Sequence, residues 1–102
     1  MNTDTKIGVI GDGGWGTALA LLLAAKGCRV RLWGAFPSYL EEMRKTRENR
    51  KFLPDFRIPN HIHFESSLKK AVRDASYIIL AVPSQYLRGV LKKLKREKWV
   101  DY

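Results

Sequence analysis

Short apolar runs alternate along this chain with segments in which apolar residues recur every three to four positions. The runs are typical of buried strands, and the longer spacing is typical of helices with one apolar face. Together they predict strands at residues 6–10, 28–33, 62–64 and 77–82, and helices at residues 15–26, 38–51, 66–73 and 84–94. Gly27 is expected to end the first helix in a left-handed conformation. Strands that alternate with helices predict a doubly wound α/β fold around a parallel sheet, because parallel neighbours need crossover connections.

The second predicted helix carries its own boundary signals. Ser38 and Glu41 have the spacing of a capping box, which predicts the start of the helix. The basic residues expected near its last turn, where they complement the helix dipole, are Arg47, Arg50 and Lys51. Residues 52–60 contain two prolines and are therefore predicted to form a loop.

The size and composition of the chain indicate one compact domain. It has 102 residues, of which 45% are hydrophobic, so it can bury a core without disulfides. Cys28 is the only cysteine, so no disulfide can form within the chain, and a reducing compartment is expected. No apolar run reaches the roughly 18 to 20 residues of a membrane span, and residues 1–6 lack the apolar core of a secretory signal. We therefore expect a cytoplasmic protein without a membrane span.

The chain is basic, with 19 Lys and Arg against 10 Asp and Glu and a formal net charge of +9. A basic surface attracts polyanions, so a nucleic-acid-binding domain is one alternative function. The surplus lies mainly on two segments with helical periodicity, at Arg44, Lys45, Arg47, Arg50 and Lys51, and at Arg88, Lys92, Lys93, Lys95, Arg96 and Lys98. Neither segment has a zinc-finger or RNA-recognition pattern, so we interpret both as solvated helix faces and expect no nucleic-acid partner.

A glycine-rich segment with the spacing GxGxxG follows the first predicted strand, and it reads Gly11, Asp12, Gly13, Gly14, Trp15 and Gly16. It opens the first predicted helix within a strand–helix–strand unit of about 30 residues, which is the arrangement that binds dinucleotides. In that arrangement Gly11 permits the tight turn, Gly13 lets a pyrophosphate approach the backbone, and Gly16 allows close packing of helix on strand. Amides at the helix N-terminus then face the phosphates. The context predicts a Rossmann-type sheet that binds NAD or NADP.

The sequence leaves the choice between NAD and NADP open. Folds that bind NAD usually place an acid about 20 residues after the glycines, where it accepts hydrogen bonds from the ribose hydroxyls. At this place the chain reads Trp33, Gly34, Ala35 and Phe36. No acid is present there to repel a 2′-phosphate and no arginine to bind one, since Arg31 lies within the strand and Arg44 on the next helix. Phe36 is equally compatible with stacking on adenine and with packing in the turn.

Four segments of the chain, taken in order, match one known family. They read GDGGWGTALA at residues 11–20, RLWG at 31–34, NRKFLPDFRIP at 49–59 and AVPSQYLRGVL at 81–91. With these segments the chain resembles, over essentially its whole length, the NAD(P)-dependent glycerol-3-phosphate dehydrogenases. The resemblance implies the reversible oxidation of sn-glycerol 3-phosphate to dihydroxyacetone phosphate, within glycerol-3-phosphate metabolism and phospholipid biosynthesis.

The resemblance also implies which residues contact the coenzyme. The positions where the family holds it are occupied here by Gly14, Trp15, Ala35 and Phe36. Family members usually carry a polar or basic residue where this chain has Ala35, which weakens the case for NADP. By the same resemblance, Pro83 and Ser84 lie beside the nicotinamide, and residues 49–54 pack nearby as a structural loop without a catalytic role. Open α/β sheets in general bind ligands at the carboxyl ends of their strands, where Pro83 is predicted.

The same comparison of motifs predicts the domain organisation. Residues 1–102 correspond to the N-terminal cofactor-binding domain of the family. The family's catalytic lysines and substrate-phosphate arginine belong to later segments, which include a helical substrate domain. We therefore assign no catalytic residue, expect the chain by itself to be inactive, and regard it as truncated before the last strands of its sheet. An apolar edge strand at 77–82, expected if the strands are ordered 3-2-1-4, agrees with this interpretation.

Other sites and functions were weighed on the same residues. His61 and His63 would share one face of a strand, but the sequence offers no third ligand beside them, so no metal site is assigned. Cys28 has no histidine beside it in sequence and is not predicted to be a nucleophile. A non-catalytic NAD(P)-binding module and a different two-domain dehydrogenase of a small anionic substrate stay open as alternatives, and a homodimer is the candidate assembly.

Overall fold

The structure is a computed structural model that describes residues 3–96. Its elements follow one another as β1 (Lys6–Ile10), α1 (Gly14–Ala25), β2 (Arg29–Trp33), α2 (Pro37–Thr46), β3 (Glu48–Asn49), β4 (Leu53–Arg57), β5 (His63–Glu65), α3 (Leu68–Val72), β6 (Tyr77–Leu80) and α4 (Ser84–Arg96). Every predicted strand and helix is found, with ends that differ by a few residues. Lys98, which was predicted to belong to the second basic segment, lies outside the described residues.

Strands β5, β2, β1 and β6 form one sheet in that order, and all three pairings are parallel. The predicted α/β class, the parallel sheet and the strand order 3-2-1-4 are thereby confirmed. The register aligns Ile10 of β1 with Trp33 of β2 and with Leu80 of β6, so these strands end at the same level. After β1 the chain forms β2 on one side of it, and later it forms β6 on the opposite side of β1. Sheets of this kind bind ligands outside the carboxyl ends of the strands, at this reversal.

Two apolar clusters cover the two faces of the sheet. Successive side chains of a strand point to opposite faces, so Ile7 and Val9 join one cluster while Ile10 joins the other. The first cluster includes Leu23 and Ala24 of α1. The second contains buried residues of α3 and α4, which are Leu68, Ala71, Val72, Val90 and Leu94. The apolar stripes predicted for these helices are therefore the faces that pack on the sheet.

The predicted end of α1 is confirmed, whereas the boundaries of α2 differ from prediction. Gly27 follows α1 with φ 91°, a left-handed conformation that glycine adopts without a steric penalty. Helix α2 begins at Pro37, with Phe36 as N-cap, and no side chain caps it. The predicted capping box of Ser38 and Glu41 is therefore wrong. Proline suits the first helical position because it needs no acceptor there and its φ is already helical.

The C-terminal end of α2 also comes earlier than predicted, at Thr46. Arg47 is left-handed, with φ 56°, and its guanidinium donates to the backbone oxygens of Pro59 at 3.1 Å and Ile62 at 3.0 Å. Arg50 and Lys51, which were predicted to lie near the last turn, come after the helix. Arg47 thus anchors the following segment instead of complementing the helix dipole, and burial lowers the pKa of its guanidinium.

Residues 52–60 are not simply the loop that was predicted. Strand β4 lies within them and pairs antiparallel with β3, with Asn49 opposite Leu53. Pro54 lies within β4, which is an edge strand of this two-stranded sheet. Proline is tolerated in an edge strand, because no partner strand needs the N–H that it lacks. This two-stranded hairpin lies between α2 and β5 in the chain and carries Asn49 to the glycine-rich turn.

Strand β6 forms one edge of the main sheet, as the strand order predicts. Tyr77 is 54% exposed and Leu80 is 39% exposed, so its outer side is open to solvent among the described residues. Within residues 3–96, no helix is both long enough and apolar enough to cross a bilayer.

Candidate functional site

Three loops begin side by side at the carboxyl edge of the sheet. The Gly11 amide donates to the oxygen of Trp33 at 2.9 Å, the Ala81 amide to that of Ile10 at 2.8 Å, and the Gly34 amide to that of Glu65 at 3.4 Å. These bonds continue the strand ladders by one residue. They bring the loops after β1, β2 and β6 to one edge, although the loops are far apart in sequence.

Gly11 and Gly16 let α1 approach the sheet closely. Gly11 has φ 129°, and a β-carbon there would lie 2.4 Å from the oxygen of Ala81. A β-carbon on Gly16 would lie only 1.9 Å from the oxygen of Gly11 and 3.3 Å from the β-carbon of Ala81. Neither position has room for a side chain, which agrees with the tight turn and the close packing expected of these glycines.

Gly13 differs from both, because a β-carbon there would meet no atom within 4 Å. Gly13 is the N-cap of α1, and its oxygen accepts the Thr17 amide at 3.0 Å. The amides of the first helical turn have no acceptor within their own helix, and the helix dipole makes this end electropositive. The open space beside Gly13 therefore lies where such amides can bind an anion such as a phosphate group.

The buried side chain of Asn49 fixes the glycine-rich turn. Its amide nitrogen donates to the backbone oxygen of Asp12 at 2.7 Å and to Thr17 Oγ1 at 2.8 Å. Its carbonyl oxygen accepts the hydroxyl of Tyr39 and the amide of Phe52, the latter at 3.3 Å. Asn49 thereby connects the turn, α1, α2 and the hairpin in one network.

The carboxylate of Asp12 lies against Gly34. A β-carbon on Gly34 would stand 2.2 Å from Asp12 Oδ2, so the carboxylate occupies the space that a side chain at Gly34 would need. Within the described residues, this buried oxygen has no hydrogen-bond partner. Burial raises the pKa of the Asp12 carboxyl above its ordinary value, and a hydrogen bond with its own backbone partly offsets the effect.

Large aromatic side chains stand exposed on the loops of this edge. Trp15 is 72% exposed, Phe36 is 69% exposed and Phe52 is 48% exposed. The ring of Phe36 is thus not packed in its turn, and Ala35 beside it is also exposed. Phe52 packs edge-on against Tyr39, with ring centroids 6.3 Å apart, and its backbone oxygen would lie 2.8 Å from a β-carbon on Gly14.

Pro83 and Ser84 follow β6 at the same carboxyl edge of the sheet. Pro83 is exposed, and its oxygen accepts the Tyr86 amide at 2.9 Å at the start of α4. Ser84 is the first residue of that helix. Pro83 therefore lies on the β6 side of the glycine-rich turn, and the loop after β2 lies on its other side.

Sequence reasoning missed two features of this edge. Asn49 was treated as part of a structural loop, and its fully buried amide is what holds the turn in place. Asp12 is predicted from the glycine motif to bind the coenzyme, but the motif does not show that its side chain reaches the end of β2. No local sequence pattern indicates these contacts of Asn49 and Asp12, because their partners lie elsewhere in the chain.

Among the described residues, His61 and His63 have no further side chains around them that complete a metal site. In the part of the chain from residue 3 to residue 96, no group of three or more His, Cys, Asp or Glu side chains is placed to hold a metal ion. His61 Nε2 instead lies 3.4 Å from the backbone oxygen of Ala24.

Comparison with known proteins gives consistent matches. Residues 6–100 match the family model described as the N-terminus of NAD-dependent glycerol-3-phosphate dehydrogenase. The chain is 49% identical over 86 residues to the glycerol-3-phosphate dehydrogenase [NAD(P)+] of Chlorobium phaeobacteroides, and this covers 84% of the chain and 26% of that protein. It is 45% identical over 92 residues to the protein of the same name from Bacillus cytotoxicus, covering 90% of the chain and 27% of that protein. The chain thus spans about a quarter of the length of these relatives.

Solved structures show the same similarity. A crystal structure of glycerol-3-phosphate dehydrogenase from Coxiella burnetii superposes with a TM-score of 0.87 at 33% identity, and the match covers 98% of this chain and 30% of the other. The glycerol-3-phosphate dehydrogenase structure from Saccharomyces cerevisiae gives a TM-score of 0.81 at 26% identity, covering 95% and 31%.

Proposed function

Because the chain belongs to the NAD-dependent glycerol-3-phosphate dehydrogenase family, whose N-terminal part it matches, we propose that residues 1–102 are the coenzyme-binding domain of such an enzyme. The full-length protein would interconvert sn-glycerol 3-phosphate and dihydroxyacetone phosphate by hydride transfer to and from NAD or NADP. The activity is proposed for the full-length protein, since the chain spans about a quarter of its relatives.

The observation that supports coenzyme binding most directly is the open space at Gly13. Its neighbours Gly11 and Gly16 have no room for a side chain, whereas Gly13 has open space beside it at the N-terminus of α1. A coenzyme pyrophosphate fits this arrangement, because the helix amides can donate to its oxygens and no side chain at Gly13 stands between them.

The other proposed contacts lie around the same crevice. We propose that Asp12, Gly14, Trp15, Ala35 and Phe36 contact the coenzyme, with the exposed ring of Phe36 stacking on adenine. Pro83 is proposed to lie beside the nicotinamide, because it follows the strand on the other side of the chain reversal. When bound, the coenzyme supplies the carbon that takes or gives the hydride, and this chain binds and orients it.

We assign no catalytic residue and no metal within this chain. The substrate would be held by residues outside it, which is why turnover is expected only of the full-length protein. A homodimer and a cytoplasmic location are further proposals; the second is supported by the single cysteine, which has no second cysteine in the sequence with which to form a disulfide.

One assay tests the proposed activity. The full-length protein is mixed with NADH or NADPH and dihydroxyacetone phosphate, and coenzyme oxidation is followed by absorbance. We expect oxidation with dihydroxyacetone phosphate and none with a small 2-keto acid of similar charge. Oxidation with the keto acid alone would indicate a different two-domain dehydrogenase, and coenzyme binding without any turnover would indicate a binding module. Either outcome contradicts the proposal.

A titration tests the coenzyme site separately. Trp15 is largely exposed at the start of α1, whereas Trp33 is buried and its indole nitrogen donates to the backbone oxygen of Ser66 at 3.1 Å. We therefore expect bound NADH to quench mainly the emission of Trp15. The Trp15→Phe variant should bind NADH when binding is measured by calorimetry but lose most of the quenching, and Trp33→Phe should keep it.

A further inference from the structure

The acid that the second strand lacks is supplied from the glycine-rich turn. Resting on the proposed coenzyme site, we propose that the Asp12 carboxylate, held against Gly34 at the end of β2, accepts the adenosine ribose hydroxyls and makes the site select NAD(H) over NADP(H). The sequence shows no acid at residues 33–36, so the choice between the two coenzymes cannot be read from the usual position.

The first argument is the position of the carboxylate. Gly34 directly follows Trp33, the last residue of β2, and a β-carbon on Gly34 would stand 2.2 Å from Asp12 Oδ2. In dinucleotide-binding sheets this is the place where an acid meets the ribose of the adenosine half. Asp12 reaches the same place from the neighbouring strand, because Gly11 and Gly34 begin adjacent loops.

The second argument is that the turn carrying the carboxylate is held in position. The Asp12 backbone oxygen accepts the Asn49 amide at 2.7 Å and the Thr17 hydroxyl at 3.3 Å. These bonds hold the main chain of Asp12 before any ligand binds, and Gly34 leaves room for the carboxylate at the end of β2. Preorganised acceptors lose little conformational entropy on binding.

The third argument is the hydrogen bonding of the carboxylate. Oδ2 is buried and accepts no hydrogen bond from the described residues. Because Oδ2 has no open surface, the other oxygen of this partly buried carboxylate is the one that would accept from the two hydroxyls of an unmodified ribose. A 2′-phosphate has lost the 2′-hydroxyl donor and brings negative charge toward the carboxylate.

The fourth argument concerns the cations that would be needed to bind a 2′-phosphate. The Arg31 guanidinium donates to the backbone oxygens of Lys70 at 2.9 Å and Arg73 at 2.6 Å. Arg44 donates through Nε to Glu41 at 2.9 Å on its own helix. Arg31 and Arg44, the arginines weighed in the sequence for a 2′-phosphate, therefore have other partners, and Ala35 beside Gly34 carries no charge.

The test compares coenzyme affinities in the full-length protein and in its Asp12→Asn variant. Asparagine keeps the size of the side chain but removes its charge. The control is Asp74→Asn, which makes the same change at an exposed position after α3, near the opposite edge of the sheet, where the Ser76 amide donates to Lys6. Dissociation constants for NADH and NADPH are measured by calorimetry, and circular dichroism checks that each variant is folded.

We expect the unmodified protein to bind NADH at least about ten-fold more tightly than NADPH. Asp12→Asn should reduce this ratio by about ten-fold, mainly through tighter NADPH binding, and Asp74→Asn should leave it within two-fold. Asp12→Ser, which is smaller and also neutral, should lower the ratio as well, so the test does not depend on one variant folding.

Two results would overturn the inference while leaving the proposed coenzyme site intact. If Asp12→Asn strengthens the binding of both coenzymes equally, the carboxylate repels the shared pyrophosphate and does not distinguish a ribose from a ribose 2′-phosphate. If the ratio is unchanged in both Asp12 variants, Asp12 has no part in selection. Failure of the unmodified protein to bind either coenzyme overturns the proposed site as well, which separates that failure from the other two.

Discussion

The side-chain amide of Asn49 donates to Thr17 Oγ1 at 2.8 Å in the interior of the molecule, joining the hairpin of β3 and β4 to helix α1. The same nitrogen donates to the backbone oxygen of Asp12, so one fully buried side chain holds the turn on which the proposed coenzyme site depends. A buried network of this kind stabilises the fold only while all its members are paired.

Asn49→Ala is therefore expected to destabilise the protein. It leaves the Asp12 oxygen and the Thr17 and Tyr39 hydroxyls without this partner, and a buried group that loses its hydrogen bond costs about 1–3 kcal/mol. Urea denaturation measures the change. The control is Asn60→Ala, an exposed position whose side chain contacts Arg57 at 3.4 Å, where a change below about 0.5 kcal/mol is expected. Equal effects of the two substitutions would show that the network contributes nothing.

Gly34→Ala is expected to act through Asp12. The new β-carbon would overlap Asp12 Oδ2 and lie 2.9 Å from Leu40 Cδ2, and overpacking of this kind costs about 1–3 kcal/mol. Combining it with Asp12→Ala removes the overlapping carboxylate, so the double variant should recover part of the loss. A double-mutant cycle from thermal or urea unfolding measures this coupling, which we expect to be at least about 0.5 kcal/mol.

Gly89→Ala is the matched control for that cycle. Gly89 lies in α4, and a β-carbon there would meet nothing within 4 Å. Alanine should stabilise an exposed helix position by about 1 kcal/mol. A loss of stability in Gly89→Ala as large as that in Gly34→Ala would mean that the contact with Asp12 is not the cause.

Gly13→Ala and Gly16→Ala are expected to fail in different ways. A methyl group on Gly13 meets no protein atom, so the free energy of unfolding should fall by no more than about 1 kcal/mol. The affinity for NADH should fall at least about ten-fold. A methyl group on Gly16 would collide with the Gly11 backbone, so stability should fall by roughly 1–3 kcal/mol or more. Calorimetry and urea denaturation separate the two effects. Unchanged NADH affinity in a folded Gly13→Ala protein would contradict the proposed phosphate site.

Asp12→Asn is expected to stabilise the ligand-free protein at neutral pH. Burial raises the pKa of Asp12 in the folded state, so the folded state binds the proton more tightly than the unfolded chain does. The contribution of Asp12 to the free energy of unfolding therefore falls as the pH rises through its unfolded-state pKa and then its folded-state pKa. The loss is complete above both values. The gain from asparagine should be at or below about 1 kcal/mol, since water still reaches part of the carboxyl group.

The gain from Asp12→Asn should also fade with acid. It is expected to shrink as the pH falls from neutral to below the ordinary carboxyl pKa of 3.8, because Asp12 becomes protonated in both the folded and the unfolded state. Thermal unfolding between neutral pH and about that value, compared with Asp74→Asn, measures the trend. A gain that grows in acid would contradict the assigned direction of the pKa.

The parallel sheet was predictable because its strands are short apolar runs that alternate with segments of helical spacing. The hairpin of β3 and β4 was not, since four of the five residues of β4 are exposed and its pairing rests on backbone hydrogen bonds. The end of α2 was missed for a related reason. Arg47 is a good helix former in sequence, yet its backbone is left-handed and its guanidinium binds the oxygens of Pro59 and Ile62, which lie more than ten residues away in the chain.

The sequence by itself determined the α/β order of elements, the glycine spacing at residues 11–16 and the lack of an acid at residues 33–36. These are local properties, carried by periodicity and by residue types that stand close together in the chain. Only the tertiary structure decided that Asn49 reaches Asp12 across 37 positions, and that the Asp12 carboxylate lies against Gly34. Such contacts follow from how parallel strands align and how helices pack on them, and no local pattern records which side chains then meet.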